Sequence, residues 1–330
     1  MTSAQDLEIR QNSPTDGISS LIFSPTDPNL LLVASWDKLV RLYDASTGDM
    51  LTHYSHRGPV LDVAFSQGSD VFSGGLDRVL KMKDIQSPTE KVLGSHEDAI
   101  RCVHFSKATG NVITGSWDKS VALWDPRSET AKIASYDQSQ TVYSLDSCEH
   151  NLVVALANRI VHIYDLRNMS EPAQVRESSL KYMTRVVRCS PDGKGYAISS
   201  IEGRVGLEFF DPSPEVQAKK YAFKCHRKVE NGVEYVYPVH ALAYHPVYGT
   251  FASGGGDHVV NIWDGANRKR LRQYASPYET SIAALSFNST GTMLAVAASY
   301  TFEEGEKDHP PDKIFIRTLL EGEARPKNFQ

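Results

Sequence analysis

The sequence contains no CxxC pair: Cys102, Cys148, Cys189 and Cys225 each stand alone, roughly 40 residues apart. That spacing excludes a zinc knuckle or a thioredoxin-like redox motif and points to buried thiols in a reducing cytosol or nucleus. No stretch approaches 18 consecutive apolar residues, so no membrane-spanning helix is expected. Met1 to Arg10 carries Asp6 and Glu8 and lacks an apolar h-region. No signal peptide is expected, and the sequons at Asn168 and Asn288 are expected to stay bare. Excess positive charge is also lacking: the formal net charge is -5, which argues against general affinity for nucleic acid. There is no GxSxG elbow, Walker A loop, HExxH pair or EF-hand spacing. An enzyme is therefore not expected, and neither is a metal or other cofactor.

What is present is a repeat. Trp36 to Asp44 reads WDKLVRLYD, Leu76 to Asp84 LDRVLKMKD, Trp117 to Asp125 WDKSVALWD, Ala157 to Asp165 ANRIVHIYD and Gly256 to Asp264 GDHVVNIWD. The closing aspartates at 44, 84, 125 and 165 are spaced by 40, 41 and 40 residues, the period of a WD-repeat blade. Each copy starts with a turn residue and then alternates apolar with polar side chains, as a strand with two different faces does.

A second series of β-rich runs precedes the first: Ile18–Phe23, Val60–Phe65, Ile100–Phe105, Val142–Leu145, Arg185–Cys189, Val239–Tyr244 and Ile282–Phe287. Seven runs predict seven blades. Apolar stretches such as Leu31–Ser35 and Val112–Ser116 supply another strand, and segments such as Lys91–Leu93 the outer one. The expected fold is all-β: a seven-bladed WD-repeat β-propeller of four-stranded antiparallel blades, forming a single domain over residues 1–330. The last blade is expected to close with Leu7–Arg10 from the N-terminus, which removes the exposed sheet edge. In blade three, His96, Ser116, Asp118 and Trp124 stand where WD repeats carry a buried hydrogen-bonded tetrad. His56 and Asp77 repeat that spacing in blade two, so the cluster reads as structural and not as a catalytic triad.

Blades five and seven break the pattern. Asp165 to Asp211 spans 46 residues and Asp211 to Asp264 spans 53, so chain has been inserted. The insertion, Pro212 to Tyr237, carries Lys219, Lys220, Lys224, Arg227 and Lys228 with no acidic residue between 219 and 228. Tyr221 to Arg227 alternates like a strand. A solvated face would account for an arbitrary charge run, but blade geometry gathers these cations. The start of an innermost strand and the turn before a third strand share one face, which brings Arg185 and Arg204 together, and the outer strand adds Lys224, His226 and Arg227. Such a cluster suits a carboxylate or phosphate ligand. Trp36 and Trp117 fall at the channel mouth on that face, where they serve either as interface anchors or as local packing. Thr301 to Asp312 in blade seven, with Glu303, Glu304, Glu306, Asp308 and Asp312, is expected to be a mobile acidic loop over the same face.

Four stretches carry a resemblance: Ser178–Tyr182, Ser199–Val205, Asp211–Gln217 and Tyr221–Arg227. They resemble the spindle checkpoint propeller family called "budding uninhibited by benzimidazole three", and the similarity runs from Asp16 to Arg317. The resemblance implies a non-enzymatic kinetochore adaptor of the spindle assembly checkpoint, found in the nucleus, at kinetochores in mitosis, and in the cytoplasm. The partners it implies are a checkpoint kinase and its pseudokinase-like relative, held through GLEBS segments, the phosphorylated Met-Glu-Leu-Thr motifs of a kinetochore scaffold, and the mitotic checkpoint complex. Carried over by position, Arg204 and Lys224 would hold the phosphothreonine, while Arg185, Trp36, Trp117 and Glu202 would contact the GLEBS segment. His226 and Arg227 are further candidate contacts. A messenger RNA export propeller of the Rae/Gle type, which binds a nucleoporin GLEBS segment, shares Ile201–Val205 and Phe223–Arg227. The Asp211–Gln217 stretch and Leu180–Tyr182 favour the checkpoint family.

Overall fold

Each repeat copy folds as the third strand of a four-stranded antiparallel sheet, seen in Leu39–Asp44, Val79–Asp84, Ser120–Trp124, Ile160–Asp165, Arg204–Phe209, Val260–Asp264 and Lys313–Thr318. The computed structural model describes residues 6–327 and contains seven such sheets, all antiparallel, arranged as blades of a propeller. The innermost strands are the second series of runs, and each packs against the innermost strands of its neighbours. Second strands such as Leu30–Ser35 and Asn111–Ser116 are nearly buried throughout because both of their faces meet an adjacent blade, which explains their continuous apolar character.

Ring closure follows the expected route. Leu7–Ile9 pairs antiparallel with Ile314–Ile316 as the outer strand of blade seven. Ile9 is buried among Ile18, Leu21 and Tyr43 of blade one and Ile314 and Ile316 of blade seven. Asp6 Oδ1 accepts from Arg317 Nη1 at 2.8 Å, Asp6 Oδ2 accepts from the Tyr278 hydroxyl at 3.1 Å, and the Arg317 guanidinium lies 3.8 Å from the centre of the Tyr274 ring.

Three blades carry a full tetrad. In blade three, His96 Nδ1 meets Asp118 Oδ2 at 2.9 Å, His96 Nε2 meets Thr114 Oγ1 at 2.7 Å, and Trp124 Nε1 donates to Thr114 Oγ1 at 2.7 Å. The hydroxyl of the tetrad is thus Thr114 and not Ser116. Ser116 sits at the strand end, where its hydroxyl accepts from Asp118 N–H and donates to Asp98 carbonyl. Blade two uses His56, Ser73 and Asp77, with the Tyr54 hydroxyl donating to Ser73 because Lys83 occupies the tryptophan position. Blade six uses His226, Ser253, Asp257 and Trp263.

All seven innermost strands share a register irregularity near their start, between Ile18 and Ser20, Val60 and Asp62, Ile100 and Cys102, Val142 and Ser144, Thr184 and Val187, Val239 and Ala241, and Ile282 and Ala284. A bulge leaves one residue unpaired and re-aims its side chain. Within this step lie Arg101 in blade three, Tyr143 in blade four, Arg185 together with Val186 in blade five, and His240 in blade six.

Two stability predictions follow from closure and from the tetrad. Arg317→Ala leaves the buried Asp6 carboxylate unpaired and is expected to cost about 3 kcal/mol in urea unfolding. Burial, which outweighs the attraction of Asp118, holds His96 below its usual pKa of 6.5. The unfolded chain therefore binds the proton first, so stability present above pH 6.5 is expected to fall as pH drops from there towards the folded pKa. Urea titrations of the wild type and of His96→Gln over that range read the difference, and a smaller slope is expected in the variant.

Candidate functional site

The turn between second and third strands and the link from an outer strand to the next innermost strand emerge on one face of the ring. Arg204 opens the third strand of blade five, and Lys224 closes its outer strand, Tyr221–Lys224. The two are direct cross-strand partners, so their side chains leave the same side of the sheet about 5 Å apart. Arg204 is a third exposed and Lys224 more than half exposed.

Beyond Lys224 the chain departs from the expected strand. Cys225 is buried, and His226 takes a positive φ of 48°. A separate hairpin, Arg227–Glu230 paired with Val233–Val236, then rises before blade six begins. His226 is committed to structure: its ring is fully buried in the blade-six tetrad between Asp257 and Ser253, at 2.7 Å from each. Arg227 is also committed to structure. Its Nη2 donates to the Glu202 carbonyl at 2.7 Å and its Nη1 lies 3.3 Å from Glu234, which ties the hairpin to the 201–204 turn.

The cluster is less cationic than the chain order implies, because two carboxylates arrive from elsewhere. Glu202 Oε2 lies 3.5 Å from Arg204 Nε, and its Oε1 accepts from the Lys181 N–H at 3.2 Å. Glu202 is largely buried and so positions Arg204 and the 181–183 segment. Glu234 reaches Lys224 only at 3.8 Å, an exposed pair of the kind worth little in water. A doubly charged oxyanion between Arg204 and Lys224 competes well against it, since each unit charge at 4 Å is worth up to ~4 kcal/mol at an effective dielectric near 20 before desolvation.

Arg185 lies nearer the channel. It lines a recess of about 450 Å³ with Arg101, Trp117, Tyr143, Met183 and Thr184. Burial, reinforced by the charge of Arg101, depresses the Arg185 pKa from its usual value, and the guanidinium stays charged. Its Nη2 donates to His240 Nδ1 at 3.0 Å, while His240 Nε2 bonds Glu303. Burial, opposed chiefly by Glu303, lowers the His240 pKa, and a neutral ring that accepts at Nδ1 and donates at Nε2 satisfies both contacts. Burial would raise the Glu303 carboxyl, but hydrogen bonds from His240 and Thr301 outweigh it and bring its pKa to about 2. The 301–312 segment is therefore anchored at Glu303, whereas its composition suggested a mobile loop. The Thr184 hydroxyl is buried without a partner beside this recess.

Trp36 and Trp117 are both exposed, at 43% and 36%. Trp117 belongs to the recess with Arg185; Trp36 stands in the blade-one turn, against Gly17, away from Arg204 and Lys224. Sequence reasoning missed Arg101, Tyr143 and His240. Their signal was positional, since each is the second residue of an innermost strand, as Arg185 is. Among the described residues no group of three or more His, Cys, Asp or Glu is placed to hold a metal.

The fold and the four-residue contacts that recur in its blades define a WD-repeat propeller whose irregular blades carry a charged, aromatic-rimmed face. The family model "WD domain, G-beta repeat" matches residues 7–44, 48–84, 88–125 and 222–264. The solved structure of U3-55K superposes with a TM-score of 0.82, covering 95% of this chain and 98% of that one at 18% identity, which speaks to the fold alone. The mitotic checkpoint protein BUB3.1 of Arabidopsis thaliana is 57% identical over 96% of this chain and 94% of its own length. Mitotic checkpoint protein bub3 of Dictyostelium discoideum is 51% identical over 93% of each. A poly(A)+ RNA export protein of Schizosaccharomyces pombe is 37% identical over 98% of this chain and 93% of its own. This chain belongs to the BUB3 family of mitotic checkpoint proteins.

The contacts separate a bracing cation from an exposed one. Arg227→Ala is expected to destabilise the protein by about 2 kcal/mol, whereas Lys224→Ala is expected to stay within about 0.5 kcal/mol of wild type. Equilibrium denaturation of the two variants checks the contrast.

Proposed function

We propose that this protein is a non-enzymatic adaptor of the spindle assembly checkpoint, built as a single propeller domain that carries peptides on one face. It works in the nucleus and at mitotic kinetochores, with a cytoplasmic pool. Arg204 and Lys224 bind the phosphothreonine of Met-Glu-Leu-Thr motifs in a kinetochore scaffold. Arg185, in the recess with Trp117 and joined by Trp36 along the rim, binds the GLEBS segments of the checkpoint kinase and its pseudokinase-like relative, and so brings them into the mitotic checkpoint complex. Glu202 shapes both areas from beneath.

The observation that carries this reading is the cross-strand pairing of Arg204 with Lys224 in a chain whose relatives are named checkpoint proteins. A planar guanidinium fork beside an ammonium suits a dianionic phosphate, whereas an unmodified threonine offers that pair only a neutral hydroxyl acceptor. The recess suits a different ligand. Arg101 and Arg185 beside the unpartnered Thr184 hydroxyl offer donors to a carboxylate, and Trp117 and Tyr143 offer apolar area, the combination that concentrates binding energy at interfaces.

The RNA export relative favours a second reading, an export propeller that docks a nucleoporin GLEBS segment. The two readings share the recess and differ at Arg204 and Lys224. By calorimetry, Arg204→Ala or Lys224→Ala is expected to weaken a phosphorylated Met-Glu-Leu-Thr peptide about ten- to a hundredfold and to spare a GLEBS peptide, with Arg185→Ala doing the reverse. Undiminished phosphopeptide affinity in both variants would end the assignment. Tight single-stranded RNA binding across a salt series, with indifference to the phosphopeptide, would favour the export role.

A further inference from the structure

The inserted hairpin separates the Arg204 and Lys224 pair from a second recess of opposite character. This recess, of about 330 Å³, lies between the base of the hairpin at Val236–Pro238, the blade-six turn at Gly256, and the loop that starts at Tyr300. Its size falls in the range of sites that hold small ligands or single side chains. Glu279, Glu303, Glu304 and Asp308 line it against Lys307 as the one lysine or arginine of the lining. Lys313 pairs with Glu279 from outside, at 2.8 Å.

Three observations say what the recess accepts. Its carboxylates are in place before any ligand arrives: Glu303 is fixed by His240 and Thr301, and the Glu304 N–H donates to the Tyr300 hydroxyl at 3.1 Å. A cation already occupies part of it, for Lys307 Nζ sits 5.1 Å from the centre of the Tyr300 ring and pairs with Glu304. This is the aromatic-plus-carboxylate setting that attracts ammonium and guanidinium groups. Finally, Thr280 in the wall is 5% exposed and its hydroxyl has no hydrogen-bond partner, so a polar atom that normally must be satisfied waits for a ligand group.

We propose that this recess is a docking site for an arginine side chain of a partner peptide, held by Glu304 and Asp308, stacked on Tyr300 in place of Lys307, and hydrogen-bonded to Thr280. Arginine fits better than lysine because its planar fork can stack on the ring and donate in several directions at once. Lys307 then acts as an internal competitor that keeps Glu304 paired until a basic segment displaces it. The site stands independently of phosphothreonine binding, because no residue is shared with the Arg204 and Lys224 pair.

The test titrates the full chain with Ac-Gly-Arg-Gly-Arg-Gly-NH2, following fluorescence or calorimetry at low and moderate salt. Glu304→Gln, Asp308→Asn and Thr280→Val are each expected to weaken binding about fivefold or more, with unfolding midpoints unchanged. Lys307→Ala is expected to tighten it several-fold, a gain that general loss of structure would not produce. Arg204→Ala is expected to leave it unchanged, so failure here and failure of the phosphothreonine site are distinguishable. Equal binding by the lysine or glutamate analogue of the peptide, or indifference to all four recess variants, would overturn the proposal. Spermine binding as tightly as the peptide would reassign the site to free polyamines and overturn it as well.

Discussion

Each blade is a sheet with two apolar faces, and no blade can bury both without a neighbour on either side. That constraint forces a ring, and a ring of seven needs its last sheet completed by a strand from the first-made end of the chain. The pairing of Leu7–Ile9 with Ile314–Ile316, locked by Asp6 and Arg317, is the contact on which the remaining geometry depends. Without it the innermost strands would have no common axis, and side chains more than a hundred residues apart in sequence, such as Arg101 and His240, would not meet around one opening.

Closure also sorts the turns. In every blade the same two connections reach the same face, so insertions in blades five and seven rise side by side over blade six. The hairpin from the first is braced by Arg227 on the Glu202 carbonyl, and the loop from the second by Glu303 on His240. The result is a face divided by charge, with cations on one flank of the hairpin and carboxylates on the other. Conserving the scaffold while varying two connections is how propellers acquire separate binding surfaces from one fold.

The blade count was legible because the innermost runs recur seven times, while the closing aspartates keep a nearly constant step only over the first four blades. The limits of legibility are equally specific. Tyr221 to Arg227 alternates without interruption, so the pattern alone gave no sign that the strand ends at Lys224; burial of Cys225 and the left-handed turn at His226 end it. His226 hid as a tetrad residue because it stands 31 residues before Asp257, against 21 for His56 and Asp77 and 22 for His96 and Asp118, the hairpin accounting for the excess. Thr114 was legible in principle: it precedes its aspartate by four residues, as Ser73 and Ser253 do. Glu202 and Glu234 temper the basic cluster by folding onto it, which no count along the chain reveals. Arg204 and Lys224 were identifiable because strand register alone brings them together.

The strand that completes blade seven is made long before its partner. A nascent chain must therefore carry Leu7 and Ile9 uncovered until Ile316 has left the ribosome, a wait that spans the synthesis of all seven blades. Pairings of such high sequence separation form slowly and leave sticky edges open meanwhile. The ring thus cannot mature blade by blade to a finished state: its final stability arrives in one late step, and a truncated product lacking the last forty residues has no route to a sealed form.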